Sequence, residues 1–296
     1  MASTTFPSDV LEVIQVDGDC QLTLRVLAGR ESGSASPTAL VLPAMGTPAR
    51  FYAPFSAALR DAGLTVVTTD LRGQGECVPR VTRESRFGYR EMVEDDLSAV
   101  LAAVRRARPD APLYLVGHSL GGHLALLHAA QRAPDVGGGG IAGIVAVASG
   151  SVWYRAHGPV RGLGVLAGTQ VAVGVARAVG YWPGGRIGFG GRQPTGVIRD
   201  WARQARTGRF SFAGSTPELE RRLRALDLPL LAISVGGDEY APPSAVDHLC
   251  AIAASTQVTR WHYSASEAGG RPLDHFQWVR ASEPVAARIA AWLPTA

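Results

Sequence analysis

Alternating apolar and polar residues open the chain on both sides of a turn dipeptide. The segments VLEVIQV (10–16) and QLTLRVL (21–27) alternate in this way around Asp17-Gly18. Such alternation is typical of strands with one buried face, and Asp-Gly is a favoured turn between two of them. The pattern predicts an antiparallel hairpin.

Five continuous apolar runs follow, each short and bounded by turn residues. They are TALVLP (38–43), LTVVTTD (64–70), LYLVG (113–117), IAGIVAVAS (141–149) and LPLLAISV (228–235). Runs without alternation are typical of strands that are covered on both faces, as in parallel sheets.

Between the second and third runs, apolar residues recur at helical spacing. They are Tyr89, Met92, Val93, Leu97, Val100, Leu101 and Val104, and they predict a long amphipathic helix that ends at Arg108-Pro109. Strands that alternate with helices predict the α/β class, with a mostly parallel sheet and helices on both faces.

The alternation stops between residues 151 and 226. A Gly-rich stretch interrupts it, and strands of the same sheet flank it, so we interpret 151–226 as a lid inserted into a core of 1–150 and 227–296. Trp153, Tyr181 and Trp182 are predicted to line the substrate pocket. The apolar residues of 159–182 either cover an apolar substrate or pack the lid onto the sheet.

The composition excludes several enzyme classes. The chain has neither Lys nor Asn, so all 29 basic residues are Arg. Without Lys there is no Schiff-base lysine, no pyridoxal anchor and no P-loop lysine. No cofactor is implied, and a small-molecule substrate is the expected partner.

Charge and cysteine usage indicate which partners and which cellular compartment to expect. The net charge is +4, but the arginines are scattered without a binding module, so we expect no nucleic-acid partner. Three cysteines at unrelated spacings indicate free thiols, and no signal peptide is visible, which favours the cytoplasm. Residues 159–180 contain two arginines, a glutamine and five glycines, so we expect no integral membrane segment.

The motif Gly117-His118-Ser119-Leu120-Gly121 follows one buried strand and precedes an apolar helix. G-x-S-x-G is short, but a strand before it and a helix after it are the context of a nucleophile elbow. The alternative is a glycine turn with an incidental serine. The context favours Ser119 as a nucleophile.

A serine hydroxyl needs a base, and the base needs an orienting acid. In the strand-turn-helix setting these partners follow in the order acid, then His. Asp238 follows the strand LAISV, and His275 lies near the C-terminus. Glu239 and Asp274 are rivals for the acid, but Asp274 adjoins His275, where a neighbour rarely reaches the imidazole.

The remaining predictions concern the other histidines and the oxyanion. His118 is expected to point away into the scaffold, and no histidine pair has metal-ligand spacing with a third donor, so no metal is expected. The oxyanion donors are predicted to be the backbone N–H groups of Leu120 and Met45.

These motifs carry a resemblance. The chain resembles the α/β-hydrolase superfamily over nearly its whole length, and more narrowly a bacterial group described as predicted α/β-hydrolases, near the monoacylglycerol-lipase-like and serine-aminopeptidase-like branches. The likeness rests on PAMG (43–46), RFYAPF (50–55), DLRGQGE (70–76), GHSLGG (117–122), GYWPGG (180–185), DEYAPPSAV (238–246) and LDHFQW (273–278). It implies Ser119, Asp238 and His275 as the triad. Cys77 departs from it, since many relatives have Ser there.

Three functions stay open at this point. The first is a serine hydrolase that cleaves an ester, thioester or lactone through an acyl-enzyme. The second is an acyltransferase or cyclase of a biosynthetic pathway that uses the same triad. The third is a catalytically silent binding protein on the same fold. The oligomeric state is not encoded in any motif.

Overall fold

A central eight-stranded sheet organises the molecule. The computed structural model describes residues 9–28, 36–132, 140–253 and 257–294. In chain order the strands of this sheet are β1 (Asp9–Gln15), β2 (Gln21–Leu27), β3 (Thr38–Leu42), β4 (Thr65–Thr69), β5 (Leu113–His118), β6 (Ile141–Val147), β9 (Leu230–Val235) and β10 (Val258–Tyr263). Their spatial order is β1-β2-β4-β3-β5-β6-β9-β10.

The strand directions match the sequence prediction. β1 and β2 form an antiparallel hairpin, and β2 lies antiparallel to β4, while the remaining neighbours are parallel. The predicted hairpin and the mostly parallel sheet are therefore confirmed.

Two apolar layers cover the sheet, one on each face. Leu40 and Leu115 belong to one layer, whereas their chain neighbours Val41 and Val116 belong to the other. Successive residues of a strand point to opposite faces, so a strand that is buried on both faces needs a continuous apolar run. This accounts for the uninterrupted runs in the sequence.

Ten helices surround the sheet and fill the connections. They are α1 (Ala53–Asp61), α2 (Tyr89–Glu91), α3 (Leu97–Ala107), α4 (Leu120–Arg132), α5 (Pro159–Val179), α6 (Gly184–Ile187), α7 (Thr195–Thr207), α8 (Pro217–Arg224), α9 (Pro243–Ile252) and α10 (Glu283–Trp292) among the described residues. A π-helical segment, Met92–Asp96, joins α2 to α3. The predicted helix thus runs without a break from Tyr89 to Ala107.

The inserted segment, residues 151–226, lies between β6 and β9, which pair directly in the sheet. It contains α5 to α8 and a small hairpin of β7 (Tyr181–Pro183) and β8 (Arg192–Pro194). α5 packs on α7, and α8 packs on α4 of the core. The interpretation of this segment as a lid stays a prediction.

α5 differs from the expectation for residues 159–180. It is one helix of 21 residues, long and apolar enough to cross a membrane by length and composition, with a mean hydropathy of 1.4. The two arginines, Arg161 and Arg177, lie near its ends, so they do not interrupt the apolar stretch. Only 22% of the apolar window is buried. A single helix of this kind is weak evidence for a membrane span.

Candidate active site

Ser119 occupies the sharp turn between β5 and α4. Its φ of +52° lies in the left-handed region, which a residue other than glycine seldom adopts. A Cβ on Gly117 would lie 2.2 Å from the Gly122 nitrogen, and one on Gly121 would lie 2.2 Å from the Leu42 carbonyl oxygen. Only glycine fits at these two positions, so the motif is required by the turn that exposes the serine.

Asp238 and His275 form a buried pair. The Nδ1 atom of His275 lies 2.8 Å from Oδ2 of Asp238, whose side chain has no exposed surface. The other carboxylate oxygen, Oδ1, accepts the N–H groups of Tyr240 and Ala241 at 2.8 and 2.9 Å. Because the carboxylate accepts at Nδ1, the proton of a neutral imidazole is held there and Nε2 is left as the basic nitrogen.

The two rival carboxylates have other partners. Glu239 is 75% exposed at its side chain and pairs with Arg161. Asp274 accepts the N–H groups of Phe276 and Gln277 and so shapes the turn after His275. Neither carboxylate is positioned to orient the imidazole.

Ser119 and His275 line the same cavity, which has a volume of about 70 Å³. Its walls are mostly apolar and come from both the core and the inserted segment, and they include Ala44, Val152, Phe189, Trp201, Tyr240, Ala241 and Phe276. A mostly apolar pocket that converges on a few polar groups is typical of a small-molecule site.

The predicted pocket aromatics Trp153, Tyr181 and Trp182 do not line this cavity, so that prediction is wrong. Trp153 packs on His248, with ring centroids 4.5 Å apart. Tyr181 lies beneath the guanidinium of Arg192, and Trp182 is buried within the inserted segment. The aromatic residues of the inserted segment that line the cavity are Phe189 and Trp201.

The predicted oxyanion donors lie at the cavity. Met45 and Leu120 both line it, and neither N–H has a hydrogen-bond partner among the described residues. The preceding N–H, that of Ala44, is occupied because it donates to the Tyr52 hydroxyl at 2.8 Å. Two unoccupied N–H groups beside a serine hydroxyl are the arrangement that a tetrahedral oxyanion would need.

His118 does not point away from the site as expected. Its ring lies against that of His275, with centroids 4.8 Å apart, and its Nδ1 lies 2.7 Å from the Tyr52 hydroxyl oxygen. Because Ala44 donates to that oxygen, the hydroxyl proton is free to donate to Nδ1 of His118. Burial lowers the pKa of His118 well below its usual value, and nearby His275 lowers it further, so His118 is neutral. No local sequence pattern predicts this contact, since the partners are far apart along the chain.

The inserted segment touches the loop that carries Met45. A Cβ built on Gly46 would lie 2.2 Å from the Gly190 carbonyl carbon and 2.4 Å from the Gly191 nitrogen. Backbone therefore meets backbone at this point, without side chains between them.

Two residues that line the cavity each have a buried polar atom with no partner among the described residues. These atoms are the Tyr89 hydroxyl and Nδ1 of His123, and both side chains are buried. Nε2 of His123 lies 2.9 Å from the Gly150 carbonyl oxygen and donates to it, so Nδ1 presents a lone pair. Burial lowers the pKa of His123 to about 4. Neither atom has an accessible surface, so both lie behind the cavity wall.

Comparison with known proteins agrees with the fold. Residues 34–172 match the profile of a family described as serine aminopeptidase, S33. Among proteins with curated descriptions, none matches the sequence.

Solved structures match over nearly the whole chain. A soluble variant of monoglyceride lipase from Saccharomyces cerevisiae has a TM-score of 0.70 at 14% identity, covering 98% of this chain and 97% of its own. The enol-lactonase from Burkholderia xenovorans LB400 has a TM-score of 0.56 at 16% identity, with 95% and 98% covered. The thioesterase domain from the curacin biosynthetic pathway has a TM-score of 0.59 at 17% identity, with 96% and 99% covered.

The sheet order and these structural matches show that the chain has the α/β-hydrolase fold. Its family match and the structural neighbours named above are hydrolases.

Proposed function

We propose that this chain is a serine hydrolase that cleaves an ester, thioester or lactone with a largely apolar acyl group. One observation carries the proposal. The buried carboxylate of Asp238 lies 2.8 Å from the imidazole of His275, and His275 lines the same cavity as Ser119 on its strained turn. The monoglyceride lipase, the enol-lactonase and the thioesterase domain act, by their names, on ester-like bonds, which supports this substrate class.

In the proposed mechanism, Nε2 of His275 takes the hydroxyl proton as the Ser119 oxygen attacks the carbonyl carbon. The N–H groups of Met45 and Leu120 donate to the resulting oxyanion. His275 then gives the proton to the leaving alcohol or thiol, and an acyl-enzyme forms. Water, activated by the same imidazole, releases the acid and restores the serine.

The inserted segment acts as a lid over this site in our proposal. Phe189 and Trp201 belong to the segment and line the cavity, and the Phe189 ring stacks on Tyr240 of the core, with centroids 5.4 Å apart. Such a cover excludes water from the acyl group. A cytoplasmic location stays a prediction, based on cysteines that are free thiols.

The test is covalent labelling with a fluorophosphonate, followed by mass spectrometry of the intact protein and its peptides. We expect one adduct on Ser119, none in Ser119→Ala, and a rate reduced by several orders of magnitude in His275→Ala. Release of free acid from a nitrophenyl ester separates hydrolysis from acyl transfer. A wild-type protein that takes up no label would contradict the proposal.

A further inference from the structure

The outer face of α5 is apolar and exposed. Its residues follow one another three or four positions apart, so they form one stripe along the helix. We define the exposed stripe as Val160, Leu163, Ala167, Val171, Gly174 and Ala178. The exposed fractions of Val160, Leu163 and Val171 are 85%, 62% and 64%. The stripe holds no charged residue and is about 28 Å long at the usual helical rise.

Positive charge is concentrated in the inserted segment, which carries the exposed stripe. The inserted segment holds twelve arginines and three carboxylates, whereas the rest of the chain holds seventeen arginines and twenty-two carboxylates. The segment is therefore strongly basic and the rest of the molecule is acidic. A net charge of +4 conceals this division.

Four of these arginines line a second cavity, between α5 and α7. We call Arg177, Arg199, Arg203 and Arg206 the arginine cluster. No side chain of the four has an ion-pair partner among the described residues. Asp200 also lines the cavity, but its carboxylate accepts the N–H groups of Tyr89 and Ala213. The cluster is thus open to anionic groups.

We propose that the exposed stripe and the arginine cluster together dock this chain onto an anionic lipid surface, with α5 lying in the plane of the interface. An apolar helix face buries itself at the boundary between headgroups and acyl chains, and flanking arginines bind the anionic headgroups. Nucleic acid offers no counterpart to the apolar stripe. This inference concerns a surface outside the active site and does not rest on the proposed function.

α5 lies on the membrane and does not span it. Ala172 and Ala176 are buried in the contact with the rest of the segment, and Gln170 donates to the Ala202 carbonyl of α7 at 3.0 Å. A Cβ on Gly162 would lie 2.0 Å from the Tyr154 carbonyl oxygen, so this end of the helix also meets backbone. One face is held by protein, and only the opposite face is available to lipid.

The docked surface adjoins the active site. Arg161, next to the first residue of the stripe, donates to the carbonyl oxygen of Glu239, the neighbour of Asp238. Tyr240 and Phe276, which line the cavity, are 53% and 36% exposed. Docking by the stripe therefore brings an apolar rim of the cavity to the lipid.

The test is co-sedimentation with vesicles of ether-linked phospholipids, which offer no ester bond and so separate binding from catalysis. One vesicle contains phosphatidylcholine alone, and the other an equimolar mixture with phosphatidylglycerol. We expect the wild-type protein to bind the anionic vesicle, to bind the zwitterionic one at least tenfold more weakly, and to lose binding at high salt.

Two double variants, each with a matched control, separate the contribution of the exposed stripe from that of the arginine cluster. Val160→Ser with Leu163→Gln should weaken binding to the anionic vesicle about tenfold, whereas Val10→Ser with Val13→Gln, exposed on β1, should not. Arg199→Gln with Arg203→Gln should weaken it by a similar factor of about ten. The control is Arg80→Gln with Arg288→Gln, since both arginines are exposed and belong to the core. An unchanged Tm shows that each variant is folded.

Three outcomes would overturn the inference. No binding to either vesicle, or equal binding to both, excludes an anionic lipid surface. If the variant with Val160→Ser and Leu163→Gln binds like the wild type, charge alone acts, as for nucleic acid or an acidic protein. If the wild-type protein binds no vesicle but forms a dimer in analytical ultracentrifugation, and the Val160→Ser, Leu163→Gln variant does not, the stripe is a contact with a second copy of the chain. Absence of fluorophosphonate labelling would leave the vesicle result unaffected.

Discussion

The hydroxyl of Tyr52 joins the loop of Met45 to the turn that carries Ser119, because it accepts the N–H of Ala44 at 2.8 Å and donates to Nδ1 of His118 at 2.7 Å. Both groups neighbour a predicted catalytic atom: Ala44 precedes Met45, and His118 precedes Ser119 and contacts the ring of His275. Tyr52 itself is fully buried and does not line the cavity. It is a positioning residue for the site.

We therefore expect Tyr52→Phe to lower kcat about tenfold and to leave KM nearly unchanged, because misplacing an oxyanion donor affects the transition state more than substrate binding. Steady-state kinetics on a nitrophenyl ester measure the split. Tyr181→Phe is the control, since Tyr181 lies outside the cavity wall. A rise in KM alone would assign Tyr52 to binding.

The identity of the acid can be tested by three single substitutions. Asp238→Asn should lower kcat by about four orders of magnitude, because the amide favours the wrong tautomer of His275. Glu239→Gln and Asp274→Asn should change it by less than about threefold, since neither carboxylate contacts the imidazole. If Asp274→Asn were the slowest of the three, the assignment of Asp238 would be incorrect.

The cavity limits the acyl group. A volume of about 70 Å³ holds about five water-sized groups. For nitrophenyl esters we expect kcat/KM to rise about fourfold for each added methylene up to about four carbons and then to level off. Trp201→Leu should move this limit to longer chains, whereas Tyr181→Ala, outside the cavity, should not. A series that is best for acetate would indicate that the lid merely packs against the core.

His128 should make the fold sensitive to mild acid. It is buried on α4, where Nδ1 donates to the Val93 carbonyl at 2.7 Å, and burial lowers its pKa below the usual value. The unfolded chain therefore binds a proton that the folded chain does not, so stability present above about pH 6.5 is lost as the pH falls toward the lowered folded pKa.

The loss should reach at most about 1.4 kcal/mol per pH unit for this histidine. Urea unfolding of the wild type and of His128→Leu, at several pH values between 8 and 5, measures the contribution of His128 to this loss. The difference between the two proteins at pH 8 gives the cost of the lost hydrogen bond and packing. That difference should shrink as the pH falls. A constant difference would show that His128 does not titrate in this range.

Local pattern was sufficient to predict much of the architecture. The buried strands follow from continuous apolar runs, and the elbow follows from Gly117 and Gly121, whose close contacts exclude any side chain. The order Ser119, Asp238, His275 placed the acid and the base at strand ends, and the structure brings that pair together.

The inserted segment was less predictable because its side chains are oriented by tertiary contacts. Nothing in the local sequence distinguishes Trp201, which lines the cavity, from Trp182, which is buried away from it. The contact of Tyr52 with His118 joins residues 66 positions apart. Such a contact has no periodicity by which it could be recognised.

The approach of Gly46 to Gly190 and Gly191 restricts how this protein can diverge. Any side chain larger than hydrogen at position 46 would displace the loop of Met45 and the inserted segment together, because backbone atoms lie where the Cβ would be. No residue of α5 lines the cavity, so we expect substitutions on its exposed face to affect the chemistry less than a side chain at these glycines. In homologues that retain the same reaction, we expect the substrate range to change through the helices of the inserted segment, while Gly46, Gly190 and Gly191 are retained.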